Sequence, residues 1–144
     1  MEDIDFSKFS KGIFMINLVA IVYNPDIKKM IIGRREQDQF VPELTWSFPG
    51  GRPTYDRDLE DSLKDEIKKK TGLEAEIKKI IFARITPELN GKQIIIYYYC
   101  ETSQNKAKAG EKFSEVKWIL PKEYKEYFKT SIHPEIRGFL KGLG

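Results

Sequence analysis

The sequence predicts an α/β/α sandwich, a mixed β-sheet between helices in a single domain. Three observations predict it. Runs rich in branched and aromatic residues alternate with helical patterns, in the order strand, strand, short strand, helix, strand, strand, strand, helix, helix. Two of these runs, 13–23 and 93–101, are apolar nearly throughout, as strands covered on both faces are. The chain has 144 residues, enough for one domain with a real core and too few for two ordinary ones.

Residues 1–11 read as a polar lead-in that Phe6 and Phe9 would anchor, and residues 12–144 as the domain. Ile13–Tyr23 reads as a central strand. Asn24-Pro25-Asp26 is a turn signal, and Lys29–Arg34 returns as the second strand of a hairpin. Glu36–Thr45 is a loop with Phe40, Val41 and Leu44, expected as a flap. Trp46–Phe48 is a short strand that meets Pro49 and the pair Gly50-Gly51. In the helix that follows, Asp58 suits the N-cap and Asp61 the positive end of the dipole. Leu59, Leu63 and Ile67 recur every four residues and form one apolar stripe. Lys68, Lys69 and Lys70 crowd the last turn, and Gly72 is the stop.

Glu74–Ile85 is the next strand, and Asn90-Gly91 signals a hairpin turn. Gln93–Glu101 is the most strand-like run, with Tyr97, Tyr98 and Tyr99 expected in sheet packing before any ligand pocket. Polar Thr102–Lys112 is expected as a flexible loop. Glu115–Leu120 is a short strand, Pro121 opens a helix through Phe128, and His133–Leu143 is the last helix. His133, the sole histidine, suits a helix-start cap better than a general base.

Composition excludes several classes. With 40% apolar and 33% charged residues the chain reads as a soluble globular protein, and a cytoplasmic location is the default. A net charge of +3 gives no case for nucleic acid as a partner. Cys100 is the only cysteine, so an internal disulfide and a cysteine metal site are both excluded. The start is acidic and polar, unlike a secretory signal, and 13–23 is too short to span a bilayer. A homodimer is compatible with the sequence.

The stretch Trp46–Leu73 carries the functional signal. Strand, glycine pair and helix, with Gly51 and Gly72 at the family's spacing and Trp46-Ser47-Phe48-Pro49-Gly50-Gly51 as lead-in, resemble the Nudix (MutT-like) hydrolases, whose box would occupy residues 51–73. Gly33-Arg34-Arg35 resembles the family's usual end of the second strand, and Glu115 ahead of Trp118 its late strand. The resemblance implies a Nudix-type sandwich, magnesium as cofactor, and hydrolysis of a nucleoside diphosphate linked to another group. It implies Glu66 as the catalytic carboxylate and metal ligand.

The acidic set is otherwise degenerate. Arg57 stands where the family has a glutamate, Asp65 where it has an arginine, and Lys69 and Lys70 where it has the metal-binding glutamate pair. Magnesium takes oxygen ligands. One carboxylate and two ammoniums in place of three carboxylates weaken cation binding, so a conventional multi-metal site is not expected. On a helical wheel at roughly 100° per residue, Lys70 lies within about 20° of the centre of the apolar stripe. Lys70 and Arg57 would then set fixed cations against phosphate. The candidate contacts to ligand or phosphate are Arg34, Arg35, Gly50, Gly51, Arg52, Arg57, Lys69 and Lys70.

Three readings follow. The first is a Nudix protein that binds a nucleoside-diphosphate-type small molecule with weak or absent hydrolysis. The second is an atypical magnesium-dependent hydrolase that borrows carboxylates from Asp56, Asp58, Glu88 or Glu115. In its favour, Gly50-Gly51-Arg52 resembles the start of altered boxes such as the GDP-mannose type. The third is a non-catalytic interaction module that meets RNA through lysine-rich surfaces.

Overall fold

The computed structural model describes residues 5, 7, 12–35 and 45–143, the side chains at 88 and 89 excepted. Residues 36–44 of the expected flap at Glu36–Thr45 and the anchors Phe6 and Phe9 lie outside the described residues, as does most of the lead-in.

The first strand, β1 (Met15–Asn24), is buried along its second half and lies at the middle of the sheet. It starts two residues later than its sequence suggests. It runs parallel to β6 (Gln93–Glu101) from Met15↔Gln93 to Tyr23↔Glu101. Asn24 reverses the chain by accepting the Asp26 N–H on its side-chain oxygen at 2.9 Å. The expected hairpin with β2 (Lys29–Arg35) forms but is short, with only Tyr23↔Met30 and Asn24↔Lys29 paired. The two strands then splay. β2 pairs with β7 (Phe113–Ile119) and with β3 (Trp46–Ser47). β1 instead receives β4 (Gly50–Gly51), through Leu18↔Gly51 and Val19↔Gly50. A Cβ on Gly50 would lie 2.1 Å from the Leu18 carbonyl oxygen, so only glycine fits this wedge. β5 (Glu76–Ile85) closes the order β3-β2-β1-β6-β5.

Helices cover both faces, as the sequence predicts. On one face α1 (Leu59–Thr71) sets Leu63 and Ile67 against Leu18, Ala20, Val22, Ile31, Tyr98 and Cys100. On the other, α3 (Pro134–Leu143) sets Ile136 and Leu140 against Ile21, Met30, Ile32 and Ile119. The apolar stripe is shorter than expected. Leu59 is 38% exposed, and Ser62 and Thr71 share the buried face with Leu63 and Ile67. Asp58 holds the N-cap position, but its side chain makes no capping bond. Tyr98 and Cys100 pack under α1, while Tyr97 and Tyr99 pack on the opposite face. The tyrosines thus serve the sheet. Asn90 and Gly91 take left-handed conformations in the 3-10 turn Glu88–Gly91 between β5 and β6. Pro121 opens a 3-10 turn and one helical turn, α2 (Tyr124–Tyr127), which is less than the continuous helix expected. His133 accepts the Glu135 N–H on Nδ1 at 3.1 Å and so caps α3.

The loop at 102–112 departs most from expectation. It is tied down. The N–H groups of Lys108, Gly110 and Glu111 donate to the carbonyls of Thr71, Lys70 and Lys69 at 2.8, 2.9 and 3.1 Å. Gly72 N–H takes the Lys68 carbonyl at 2.9 Å. Every carbonyl of the last turn of α1, ordinarily an orphan, therefore has a donor. Gly110 is required here, because its Cβ would fall 1.8 Å from the Lys69 oxygen. Among the described residues no helix is long and apolar enough to cross a membrane.

Candidate functional site

The splay of β1 from β2 and the clamped end of α1 converge on Lys70. Glu66 and Lys70 are four residues apart on α1 and face the glycine pair. Lys70 Nζ lies 3.3 Å from Glu66 Oε2 and donates to the Gly50 carbonyl oxygen. Their side chains are only 13% and 22% exposed, which separates this pair from the surface pairs elsewhere on the helix. Gly51 lies beneath the carboxylate, since a Cβ there would be 2.6 Å from it. Glycine is thus needed twice: at 50 to reach the sheet, at 51 to admit Glu66.

Burial holds the Lys70 pKa below the ordinary lysine value, the Glu66 charge opposes that, and the positive charges of Lys112 and Arg35 add to the depression. The oxygens of the site, a carboxylate and a backbone carbonyl, are hard-cation donors, but they already hold an ammonium. Among the described residues, this arrangement does not offer a magnesium ion a free set of oxygen ligands. Among the described residues no group of three His, Cys, Asp or Glu side chains could hold a metal ion.

The other candidates divide into groups. Arg57 reaches Asp65 at 3.9 Å and Asp56 at 3.8 Å, and Asp65 also takes Lys69 at 3.0 Å. The hydrogen bond to Asp65 raises the Lys69 pKa. Positions 57 and 65 thus hold a pair of opposite charges near each other. Arg57 and Lys69 gather around Asp65 and not beside Lys70. Strand alternation puts Arg35 on the α1 face and Arg34 on the other, where Glu115 approaches it at 4.0 Å. Arg52 is exposed. Asp56 accepts the Thr54 hydroxyl at 2.6 Å, which lowers its pKa. Asp56, Asp58 and Glu115 do not join Glu66, and the Glu88 side chain lies outside the described residues. Sequence reasoning missed the backbone donors Lys108, Gly110 and Glu111. Nothing in a polar loop signals which carbonyls it will meet.

Comparison with known proteins agrees with this architecture. The family model for the NUDIX domain matches residues 14–142. No curated protein sequence gave a significant match. Among solved structures, a NUDIX hydrolase from Nitrosomonas europaea is similar with a TM-score of 0.74 at 14% identity, over 90% of this chain and 72% of that one. The NUDIX domain of Shewanella oneidensis NrtR, complexed with ADP ribose, gives 0.70 at 17%, over 91% and 88%. A bifunctional NMN adenylyltransferase/ADP ribose pyrophosphatase from Francisella tularensis, complexed with AMP and a manganese ion, gives 0.67 at 17%, over 91% of this chain and 42% of that one.

Proposed function

We propose that this chain, which belongs to the NUDIX domain family, binds a nucleoside-diphosphate-linked small molecule through a fixed lysine cation, with little or no hydrolysis. One observation carries the reading. The Lys70 ammonium occupies the space between the surviving box carboxylate and the Gly50 carbonyl. An ammonium has three donors. Glu66 and Gly50 take two, which leaves one for a phosphate oxygen. ADP ribose and AMP in two structural neighbours support this ligand class.

The chemistry follows from the same contact. Hydrolysis of a phosphoanhydride calls for an activated water and for charge neutralisation, both of which bound metal ions supply in such sites. Here Glu66 is committed to Lys70. A single ammonium neutralises ligand charge but does not generate hydroxide. Binding survives, and turnover does not.

The test is nucleotide or phosphate release from a panel of nucleoside diphosphate derivatives, in magnesium, manganese and chelator, for wild type and Glu66→Gln. No turnover is expected in any condition. Metal-dependent turnover that disappears in Glu66→Gln would show that the box works with borrowed ligands.

A further inference from the structure

The sheet face that α1 covers extends beyond the helix. Residues paired across β1, β6 and β5 share a face, so the pairings map it row by row. Ala20, Tyr98 and Ile80 form one row, Leu18, Ile96 and Ala83 the next, and Ile16, Ile94 and Ile85 the third. Leu18, Ala20 and Tyr98 are buried in the core under α1. Past them the cover runs out. Ile16, Ile94 and Ile96 are half-buried, and Ile80 and Ile85 are 57% and 56% exposed. Phe14, two residues before Ile16, is 40% exposed, and Leu59 at the start of α1 is exposed as well. An exposed apolar patch of this continuity marks an interaction surface.

The edge of the sheet is guarded and its face is not. β5 is the last strand in the order. Register shifts between Ile77 and Lys79 and between Ile80 and Phe82 bulge it, and Lys78 stands exposed at the first shift. Bulges and edge lysines block the addition of another strand. A partner therefore lies flat on the apolar rows.

The two ends of the patch carry opposite charge. On the helix side the start of α1 presents Asp58, Glu60 and Asp61, all exposed, and Asp58 makes no capping bond. At the far end the Met15 N–H donates to the Lys92 carbonyl at 2.8 Å, which carries the β1–β6 ladder on by one residue. Exposed Lys92 thus stands two residues from Ile94, on the same face. A two-fold axis lying across the strands turns one copy end for end over another. Apolar rows then meet apolar rows, and each acidic helix start meets the other copy's Lys92.

We propose that this face is a self-association surface, on which a second copy of the chain packs with its strands antiparallel across a two-fold axis. Such a pair uses the same patch on both copies. The inference is independent of what the site at Lys70 binds.

Sedimentation of the full chain from low to high micromolar concentration tests it. Wild type should pass from the 16.8 kDa monomer to a dimer. Ile80→Asp and Ile85→Asp alter side chains already more than half exposed, so both should fold. Unfolding temperature, measured where wild type is monomeric, checks this. Each change is made twice per dimer and should raise the dissociation constant at least about tenfold. Lys92→Glu sets like charges together at both ends and should weaken the dimer severalfold, and adding Glu60→Lys should recover part of the loss. Lys122→Glu, exposed in the turn before α2, is the control and should match wild type. A wild type that stays monomeric throughout overturns the inference and leaves the face to another partner. A dimer that tolerates both isoleucine variants overturns it too, as does one lost only in Lys78→Glu, which would put the contact on the strand edge. A dimer broken by the isoleucine variants yet indifferent to Lys92→Glu overturns the antiparallel arrangement.

Discussion

Replacing Lys70 by glutamate should convert the site from one that holds its own cation to one that requires an added cation. In the wild type the ammonium lies 3.3 Å from Glu66 and donates to the Gly50 carbonyl. Lys70→Glu puts a second carboxylate four residues from the first, over the same carbonyl. Two like charges at reduced exposure replace an ion pair. The pair is neither fully exposed nor fully buried, so the metal-free variant should lose about 1–3 kcal/mol of stability. Two carboxylates and a carbonyl are then the oxygen set that a hard cation prefers. Magnesium at about 100 times its dissociation constant would return roughly 2.7 kcal/mol. In a domain of this size 1 kcal/mol moves Tm by about 2–4 °C, so the metal-dependent rise should be about 5–10 °C. Thermal unfolding with and without magnesium is the assay, with Lys64→Glu as a control for net charge on an exposed part of α1. Wild type and Lys64→Glu should show little rise. No selective rise in Lys70→Glu, or an equal rise in wild type, would refute the placement of Lys70 at a cation position.

Two further predictions follow from the same contacts. The Lys70 pKa is depressed in the fold, so between that value and the ordinary 10.5 the unfolded chain binds more protons. Stability from this group rises with pH across that window while anion affinity falls. Lys70→Arg, always charged, should keep its affinity at high pH, and a parallel decline in both proteins would place the titration elsewhere. Gly50→Ala drives a Cβ to 2.1 Å from the Leu18 backbone oxygen and should cost about 3 kcal/mol in urea unfolding. Gly51→Ala meets only the movable Glu66 carboxylate, at 2.6 Å, and should cost about 1 kcal/mol while altering ligand binding. Equal destabilisation by the two would contradict the division of roles in the glycine pair.

The fold was legible because its signals are local. Gly72 takes the left-handed stop its position requires, and Leu63 and Ile67 bury where their period puts them. Asn90 and Gly91 take the left-handed conformations that dipeptide favours, but within a 3-10 turn and not as a two-residue hairpin loop. Lys70 was legible as an inward residue from the helical wheel alone. Arg57 was not, because its contact with Asp65 depends on how the loop before α1 folds back on the helix. The ties from 108–111 to the end of α1 are backbone bonds between segments distant in sequence, and side-chain chemistry does not announce them. The separation of Arg34 from Arg35 follows from strand alternation, but only once the strand's limits are known. Leu59 matched the period yet lies 38% exposed, since periodicity fixes a helix face and not how far the sheet beneath it extends.

In the proposed reading a lysine stands in for the metal. Calorimetric titration of the wild type and Lys70→Met with ADP ribose, each in chelator and in magnesium, measures that directly. The expected result is binding by the wild type with the same affinity in both conditions, and loss of at least about tenfold in Lys70→Met. Wild-type binding that requires magnesium, with Lys70→Met binding as well or better, would contradict it.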